Sequence, residues 1–184
     1  VGFNGLYIPL EMDDIQLAIS GLKSLNFKGA SITIPHKTSV IEFLDDLDDA
    51  AARIKAVNTV VNSDGRLIGH NTDWSGAMRA LSDKIEINSK EVAIIGAGGS
   101  ARAIGFGIKA EGGQVMILNR SKRKGEQLSS ELDAGFIPLS EAKKLKCDIL
   151  INTTPIGMTP HVDDMCLPKT ALDKDMVVMD IIYT

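Results

Sequence analysis

Three polar residues stand where proton chemistry could take place in the first part of the chain. Lys37 follows Pro35 at the end of an apolar segment, and Asp73 starts a predicted helix. Asn58 interrupts an apolar run, where an amide needs hydrogen-bond partners and is either a structural bracket or a ligand donor. The pattern predicts acid–base chemistry at Lys37, with a surface lysine and a helix cap at Asp73 as the alternatives. We interpret His36 as a structural or surface residue.

A glycine-rich turn supplies the second candidate site. Residues 96–101, Gly-Ala-Gly-Gly-Ser-Ala, fit G-x-G-x-x-G/A, follow an apolar strand and open a predicted helix, which is the context of a dinucleotide fingerprint. Gly96 permits the tight turn, Gly98 lets backbone N–H groups approach a pyrophosphate, and Ala101 lets the helix pack closely. The helix N-terminus adds partial positive charge. We therefore predict a dinucleotide-binding loop that consists of Gly96, Ala97, Gly98, Gly99 and Ser100.

The residues after the next strand indicate which dinucleotide binds. An NAD site has an acidic residue about 20 residues after the glycines, where it accepts a hydrogen bond from the ribose 2′-hydroxyl. The corresponding segment 119–124, Asn-Arg-Ser-Lys-Arg-Lys, has no carboxylate. The guanidinium of Arg120 can pair with a 2′-phosphate, and Lys124 adds charge one turn later. A solvated basic turn is the alternative, but the position favours NADP.

Two later strand ends point to the same side of the predicted sheet. Residues 150–158 end an apolar strand in small polar residues, and ligands of doubly wound sheets bind at the carboxyl ends of the strands. Thr153 and Thr154 are therefore predicted on the cofactor side, with Met158 beyond them. The hydroxyl of Tyr183, after the last strand, could meet a substrate, although a core tyrosine is equally consistent with its position.

These residues require alternating strands and helices to position them. The hydrophobic pattern predicts strands at 5–10, 30–34, 57–61, 66–69, 92–95, 114–118, 148–152 and 176–182, and helices at 13–25, 37–56 (two short stretches), 73–83, 100–111, 122–132 and 140–145,. Asp13 is the predicted N-cap of the first helix, and Asp64-Gly65 predicts a hairpin. Strands separated by helices imply right-handed crossovers and a parallel sheet. We predict an α/β fold in two domains, 1–72 and 73–184, the second Rossmann-like and doubly wound.

Composition narrows the class of protein. The chain has 184 residues, 44% hydrophobic and 24% charged, which is typical of a folded globular protein and not of a disordered one,. A net charge of −4 without a long basic run disfavours a nucleic-acid surface,. No apolar run approaches the about 18 residues of a membrane span. The two cysteines form no disulfide or metal pattern, as expected in a reducing compartment.

Because the chain starts without Met and ends in an apolar segment, we expect it to be the middle of a longer chain.

Several motifs taken together resemble the shikimate dehydrogenase family. They are, in order, Ser-Ile-Thr-Ile-Pro-His-Lys, Ala-Val-Asn-Thr-Val, Gly-His-Asn-Thr-Asp, Gly-Ala-Gly-Gly-Ser-Ala, Asn-Arg-Ser and Asp-Ile-Ile-Tyr, and they span essentially the whole chain. The resemblance implies a substrate domain and an NADP domain that face one cleft. It implies reversible, NADPH-dependent reduction of 3-dehydroshikimate to shikimate in chorismate and aromatic amino-acid biosynthesis, by a cytoplasmic enzyme, with a homodimer as one assembly.

Individual roles follow from the same resemblance. It implies that Lys37 and Asp73 are the catalytic residues and that both contact substrate. The further substrate positions are Thr33, Asn58 and Tyr183. Asp49 matches a position near the cofactor, and Ile181 a position beside the nicotinamide. The expected contacts to the adenosine 2′-phosphate come from Asn119, Arg120, Ser121 and Lys124.

Four departures from the family pattern qualify these expectations. The family's Ser-x-Ser motif before the first segment and its glutamine-bearing helix after the last strand are absent, Ser31 replaces an asparagine, and Lys124 replaces an arginine. We therefore expect this chain alone to bind NADP better than shikimate.

Two other functions stay open: a quinate/shikimate dehydrogenase with broader substrate or NAD use, and a non-catalytic NADP-sensing relative. The presence of both Lys37 and Asp73 disfavours the sensor.

Overall fold

A four-stranded mixed sheet forms from the first part of the chain. The structure, a computed structural model, describes residues 4–142 and 145–182. The sheet has the order β1-β3-β4-β2 and consists of β1 (Gly29–Ser31), β2 (Asp46–Leu47), β3 (Thr59–Ser63) and β4 (Arg66–His70). Strand β3 pairs antiparallel with β1 and with β4, whereas β2 pairs parallel with β4. The β3–β4 connection is the Asp64-Gly65 turn, so the predicted hairpin is confirmed.

The helices α1 (Ile15–Ser24) and α2 (Asp49–Ile54), with a 3-10 helix at Ser39–Phe43, accompany this sheet. Their shared core consists of Ile19, Leu22, Val40, Ala51, Val57, Val60 and Leu67. The predicted cap Asp13 is wrong by one residue, because Leu17 N–H donates to Asp14. The predicted strand 5–10 is also wrong. It pairs with no other described strand, and Leu6 is 96% exposed.

Helix α3 (Asp73–Ser82) leads into a second, five-stranded sheet. Its strands are β5 (Glu91–Ile95), β6 (Gln114–Asn119), β7 (Gly135–Pro138), β8 (Ile149–Asn152) and β9 (Val177–Asp180), and its helices are α4 (Gly99–Ala110) and α5 (Lys122–Leu132). All neighbours in the order β7-β6-β5-β8-β9 run parallel. The order reverses direction between β5 and β8, which is where doubly wound sheets bind ligands. The predicted α/β class with a Rossmann-like sheet is confirmed, whereas the boundary at 72–73 stays a prediction.

The central strand β5 is buried on both faces. Residues Val92–Ile95 are at most 2% exposed. Val92 and Ile94 pack into a cluster with helices α3 and α4, while Ala93 and Ile95 join a cluster on the opposite face. A continuous apolar run is the pattern of such a strand, because neither face meets water. This rigid centre positions the glycine turn that follows it.

Two predictions about the edge of this sheet were inaccurate. Strand β7 was not predicted, and it is an edge strand of four residues that are all half-buried. The predicted helix 140–145 is a 3-10 helix at Leu139–Glu141, and positions 143–144 lie outside the described residues.

Among the helices described, none has the length and apolar character that a membrane crossing requires. The described residues form no cluster of three or more His, Cys, Asp or Glu side chains suited to a metal ion.

Candidate active site

Lys37 and Asp73 form an ion pair between segments that lie far apart in sequence. The Lys37 Nζ is 2.6 Å from Asp73 Oδ2, and the two side chains are 14% and 27% exposed. The backbone of Lys37 is fixed because its carbonyl oxygen accepts a hydrogen bond of 2.7 Å from Val57 N–H. A charged pair in this half-buried position is poorly screened by water. The two residues predicted to do the chemistry are therefore brought together.

Asp73 is the first residue of α3, so the alternative interpretation of Asp73 as the N-cap of this helix is wrong. The cap position belongs to Thr72, whose side chain makes no capping hydrogen bond. Because the Asp73 carboxylate is not used as a cap, it accepts one hydrogen bond at each oxygen: from Lys37 at Oδ2 and from Asn58 Nδ2 at Oδ1, 2.7 Å away. These two contacts fix the orientation of the carboxylate.

Asn58 acts as a bracket between the start of β3 and the start of α3. Its Nδ2 donates to Asp73 Oδ1 at 2.7 Å and to Thr72 Oγ1 at 3.0 Å. Its Oδ1 accepts from Thr72 N–H and from Thr59 Oγ1, both at 3.0 Å. Of the two possibilities left open by the sequence, the structural one is observed. A contact between Asn58 and substrate stays a prediction.

Asn71 also belongs to this site, although it was not predicted from the sequence. The residue is 4% exposed. Its Nδ2 donates to the Ala56 carbonyl at 2.9 Å, and its Oδ1 accepts from Asp73 N–H at 3.0 Å. It thereby fixes the backbone of Asp73. The signal was its place in the segment His-Asn-Thr-Asp, where an amide next to a buried strand end needs partners.

The glycine turn follows β5 and has the geometry of a phosphate cradle. Gly96 has φ +118°, and a Cβ at this position would lie 2.3 Å from Thr153 Oγ1. A Cβ at Gly98 would meet nothing within 4 Å, so the space over the start of α4 is open. Gly98 is also the N-cap and has no side chain to bond the first N–H groups of the helix,. These residues fit the pyrophosphate of a dinucleotide.

Thr153 holds this turn against the neighbouring strand end. Its N–H and its hydroxyl both donate to the Ile95 carbonyl, at 2.9 Å and 2.7 Å. The residue is 8% exposed. The predicted contact of Thr153 with the cofactor stays a prediction, while its observed role is to join β8 to β5 at the switch point.

The first turn of α4 also contacts the lysine. Lys37 Nζ donates to Ser100 Oγ at 3.1 Å, and a Cβ at Gly99 would lie 2.9 Å from Lys37 Cβ. In the sequence, the lysine and the glycine turn are separate features. The structure places the predicted proton donor directly against the predicted dinucleotide loop.

The basic turn after β6 presents free positive charge at the surface. Asn119 Nδ2 donates to the Ser121 carbonyl at 2.9 Å, and Ser121 is the N-cap of α5, which accepts from Lys124 N–H. Arg120 and Lys124 are exposed, and neither forms an ion pair with a residue in the described part of the chain. Their charges are therefore available to an external anion such as a 2′-phosphate.

The ends of β8 and β9 are joined by one amide. Asn152 Nδ2 donates to both Asp180 oxygens at 3.2 Å, and Asn152 Oδ1 accepts from Thr154 Oγ1 at 2.8 Å and from Cys166 Sγ at 3.2 Å. Ile181 N–H donates to the Asn152 carbonyl. The half-buried Ile181 thus lies at the predicted cofactor edge of the sheet.

Three other predicted site residues are not brought into these networks. Thr33 is exposed, and its carbonyl accepts from His36 N–H in the turn before Lys37. Asp49 is exposed at the first turn of α2. Tyr183 lies outside the described residues. Their contacts with substrate or cofactor stay predictions.

We expect Cys147 and Cys166 to react slowly with iodoacetamide in the native protein. Burial raises the pKa of both thiols, and the carboxylates of Asp148 and Asp180, respectively, act in the same direction. Because the thiolate is the nucleophile, alkylation near pH 7.5 should be slow until the chain unfolds. Mass spectrometry of alkylated peptides, with a urea-unfolded sample as the control, measures both rates. Equal native and unfolded rates would contradict the burial of the thiols.

Comparison with known protein families gives two matches along the chain. A family model described as "Shikimate dehydrogenase substrate binding domain" matches residues 1–60. A second, described as "Shikimate / quinate 5-dehydrogenase", matches residues 78–182. The first range contains Thr33, Lys37, Asp49 and Asn58, and the second contains the glycine turn and the basic turn.

Individual relatives agree with these matches. A shikimate dehydrogenase (NADP(+)) of Halothermothrix orenii is 38% identical over 200 residues, which cover 100% of this chain and 69% of the relative. A shikimate dehydrogenase solved in complex with NADP+ superposes with a TM-score of 0.85 at 38% identity, over 95% of this chain and 64% of the other. The enzyme of Thermus thermophilus, solved with NADP(H) and shikimate, gives 0.83 at 28% identity over 95% and 65%. The chain thus spans about two thirds of the length of its relatives.

Proposed function

This chain belongs to the shikimate dehydrogenase family, and on that premise we propose that its protein interconverts 3-dehydroshikimate and shikimate with NADP as the cofactor. The family predicted from the sequence motifs is confirmed, and the relatives named for NADP(+) support the cofactor prediction. The observation that carries the proposal is the Lys37–Asp73 pair at 2.6 Å, which lies against the glycine turn at the end of β5. The reaction would serve chorismate and aromatic amino-acid biosynthesis.

In this proposal the two parts of the chain bind different molecules. Residues 1–72 would bind the substrate, with Thr33, Asn58 and Tyr183 as contacts in addition to Lys37 and Asp73. Residues 73–184 would bind NADP. When bound, the reduced cofactor supplies the hydride that reduces the ring carbonyl carbon, and the protein has to provide one proton for the oxygen.

Lys37 is suited to provide that proton. Negative charge develops on the carbonyl oxygen during reduction, and an ammonium group nearby stabilises it and transfers a proton to it. The ammonium has three N–H donors, of which one is directed to Asp73 and one to Ser100. The third donates to no residue in the described part of the chain, so it would be available for the substrate oxygen. In the oxidative direction the neutral amine would accept the hydroxyl proton.

Asp73 has a different task in the same step. Its carboxylate is held by Asn58 and by the backbone bracket of Asn71, so it has one position relative to the ammonium. It orients Lys37 and is placed to accept a hydrogen bond from a neighbouring substrate hydroxyl. Such fixed geometry is what makes a positioned acid effective, because little reorganisation is needed during the reaction.

A quinate/shikimate dehydrogenase is the second candidate function. It is favoured by the matched model, whose description includes quinate. Use of NAD by such an enzyme is disfavoured by Arg120 and by the lack of a carboxylate at 119–124,. The sensor hypothesis is disfavoured because binding of NADP alone does not require the lysine and the aspartate that are paired at 2.6 Å. A homodimer and a cytoplasmic location complete the proposal and rest on the family resemblance.

The test is a spectroscopic assay on the complete protein that contains this chain. Shikimate and quinate are each combined with NADP and with NAD, and formation of reduced nicotinamide is followed by its absorbance. We expect the highest kcat/KM with shikimate and NADP. Turnover that is faster with quinate would favour the second candidate, and binding of NADP without turnover of either acid would favour the sensor.

A further inference from the structure

Ser100 lies at a position where one residue serves both the dinucleotide loop and the lysine. It is the second residue of α4, and the residue is 8% exposed. Its backbone belongs to the first helical turn, whose N–H groups face the predicted pyrophosphate. Its hydroxyl oxygen instead accepts a hydrogen bond from Lys37 Nζ at 3.1 Å, across 63 positions of sequence. The Ser100 hydroxyl therefore contacts the lysine, while its predicted contact with the cofactor stays a prediction.

The two glycines before Ser100 have different surroundings. A Cβ added at Gly98 would meet no atom within 4 Å. A Cβ added at Gly99 would lie 2.9 Å from Lys37 Cβ and 3.3 Å from Lys37 Cδ, closer than a side chain tolerates without movement of the lysine. Gly98 therefore leaves room for a phosphate, whereas Gly99 leaves room for the lysine. The close approach that brings the Ser100 hydroxyl to Nζ depends on this second glycine.

The number of acceptors around the Lys37 ammonium determines how precisely its N–H bonds are oriented. With Asp73 as the only acceptor, the Nζ group could rotate about one hydrogen bond. With Asp73 at 2.6 Å and Ser100 at 3.1 Å, two N–H directions are fixed, so the third is fixed as well. Ser100 lies on the dinucleotide loop, and Asp73 lies at the start of α3. The direction of the remaining N–H is thus set jointly by two elements.

We propose that Ser100 is a positioning residue that orients the Lys37 ammonium. Its hydrogen bond links the dinucleotide loop to the proton donor. The inference rests on the proposed function, since it assigns a role within the same reaction. Ser100 does not itself transfer the proton. It restricts Lys37 to the orientation in which the free N–H meets the substrate oxygen.

The first test is Ser100→Ala in the complete protein. We expect kcat to fall about 3- to 10-fold, which corresponds to one intramolecular hydrogen bond, while the KM for NADP changes by less than about twofold. Ser100→Thr keeps the hydroxyl and should restore most of kcat. Ser82→Ala is the matched control, because that exposed hydroxyl donates to the Arg79 carbonyl of its own helix and to no other residue among those described. A raised KM for NADP with unchanged kcat would overturn the proposal and make Ser100 a cofactor ligand.

A double mutant distinguishes an effect of Ser100 on the orientation of the Lys37 ammonium from a general structural effect. In a Lys37→Met background, Ser100→Ala should change the residual rate by less than about twofold, because the group it positions is gone. A further loss equal to that in the wild type would overturn the proposal. Thermal unfolding of each variant shows whether it is folded under the assay conditions.

A readout without catalysis keeps the inference separate from the proposed function. Acetic anhydride acetylates lysine amines, and peptide mass spectrometry gives the rate at Lys37 relative to the other lysines. We expect Ser100→Ala to accelerate acetylation of Lys37 about two- to fivefold, since one of its two contacts is lost. If the wild type does not turn over shikimate but this acceleration is seen, the proposed function fails and the positioning role stands. An unchanged rate at Lys37 would refute the positioning role whatever the activity.

Discussion

Lys37→Met is expected to lower kcat of the complete protein by about 10²- to 10⁴-fold, the range typical of a group that transfers a proton in the transition state. Methionine keeps a long side chain against Gly99, so the packing there changes little, while the ammonium is removed. Because the lysine acts mainly on the developing charge, we expect the dissociation constant of shikimate to change far less than kcat. Steady-state kinetics and calorimetric titration with shikimate measure the two quantities.

The control for this variant is Lys28→Met, which removes the same charge at an exposed position that is in no described ion pair. It should leave kcat unchanged. A Lys37→Met enzyme with kcat within about threefold of the wild type would contradict the proton-transfer role. Lys37 would then be a partner of Asp73 that serves only to hold the two parts of the chain together.

The cofactor loop could be predicted from sequence because its signals are local. A buried strand shows as a continuous apolar run, and a glycine with φ +118° is required where β5 turns into α4. Both features are set by residues that are adjacent in sequence. The same reasoning predicted the parallel arrangement of the second sheet, since each β-α unit closes over a short distance.

The contacts of Lys37 could not be predicted in this way. Asp73 is 36 positions away and Ser100 is 63 positions away, and no periodicity links such residues. Their meeting depends on how α3 and α4 pack on each other and on Gly99, which is read from sequence as a phosphate-loop glycine. The partners of Asn58 and Asn71 were hidden for the same reason, because an amide beside a strand end does not indicate which groups it bonds.

The errors of the sequence analysis also have physical causes. Segment 5–10 has a strand-like composition, but a strand exists only where a partner provides hydrogen bonds, and no described strand lies beside it. The cap of α1 is Asp14 and the cap of α3 is Thr72. Adjacent polar residues are equivalent in a pattern, whereas in the folded chain the hydrogen bond from Leu17 N–H shows that Asp14 and not Asp13 caps α1.

Arg120→Ala is expected to weaken binding of NADP about 10- to 100-fold while it leaves binding of NAD nearly unchanged. A charge-assisted hydrogen bond contributes about 1.5–3 kcal/mol, and about 1.4 kcal/mol corresponds to tenfold in affinity. The guanidinium is exposed at the end of β6 and forms no ion pair with the described residues. It therefore loses few contacts of its own when it binds a phosphate. Calorimetric titration of the complete protein with each dinucleotide measures the effect.

The matched control is Arg79→Ala, which removes the same charge from an exposed position of α3, away from the basic turn. It should change the two affinities equally and slightly, through long-range attraction that salt screens. Because NAD lacks only the 2′-phosphate, the ratio of the two affinities isolates the contact at that group. If Arg120→Ala weakens NADP and NAD by the same factor, the guanidinium acts on the pyrophosphate or on folding. The basic turn would then have no part in cofactor choice.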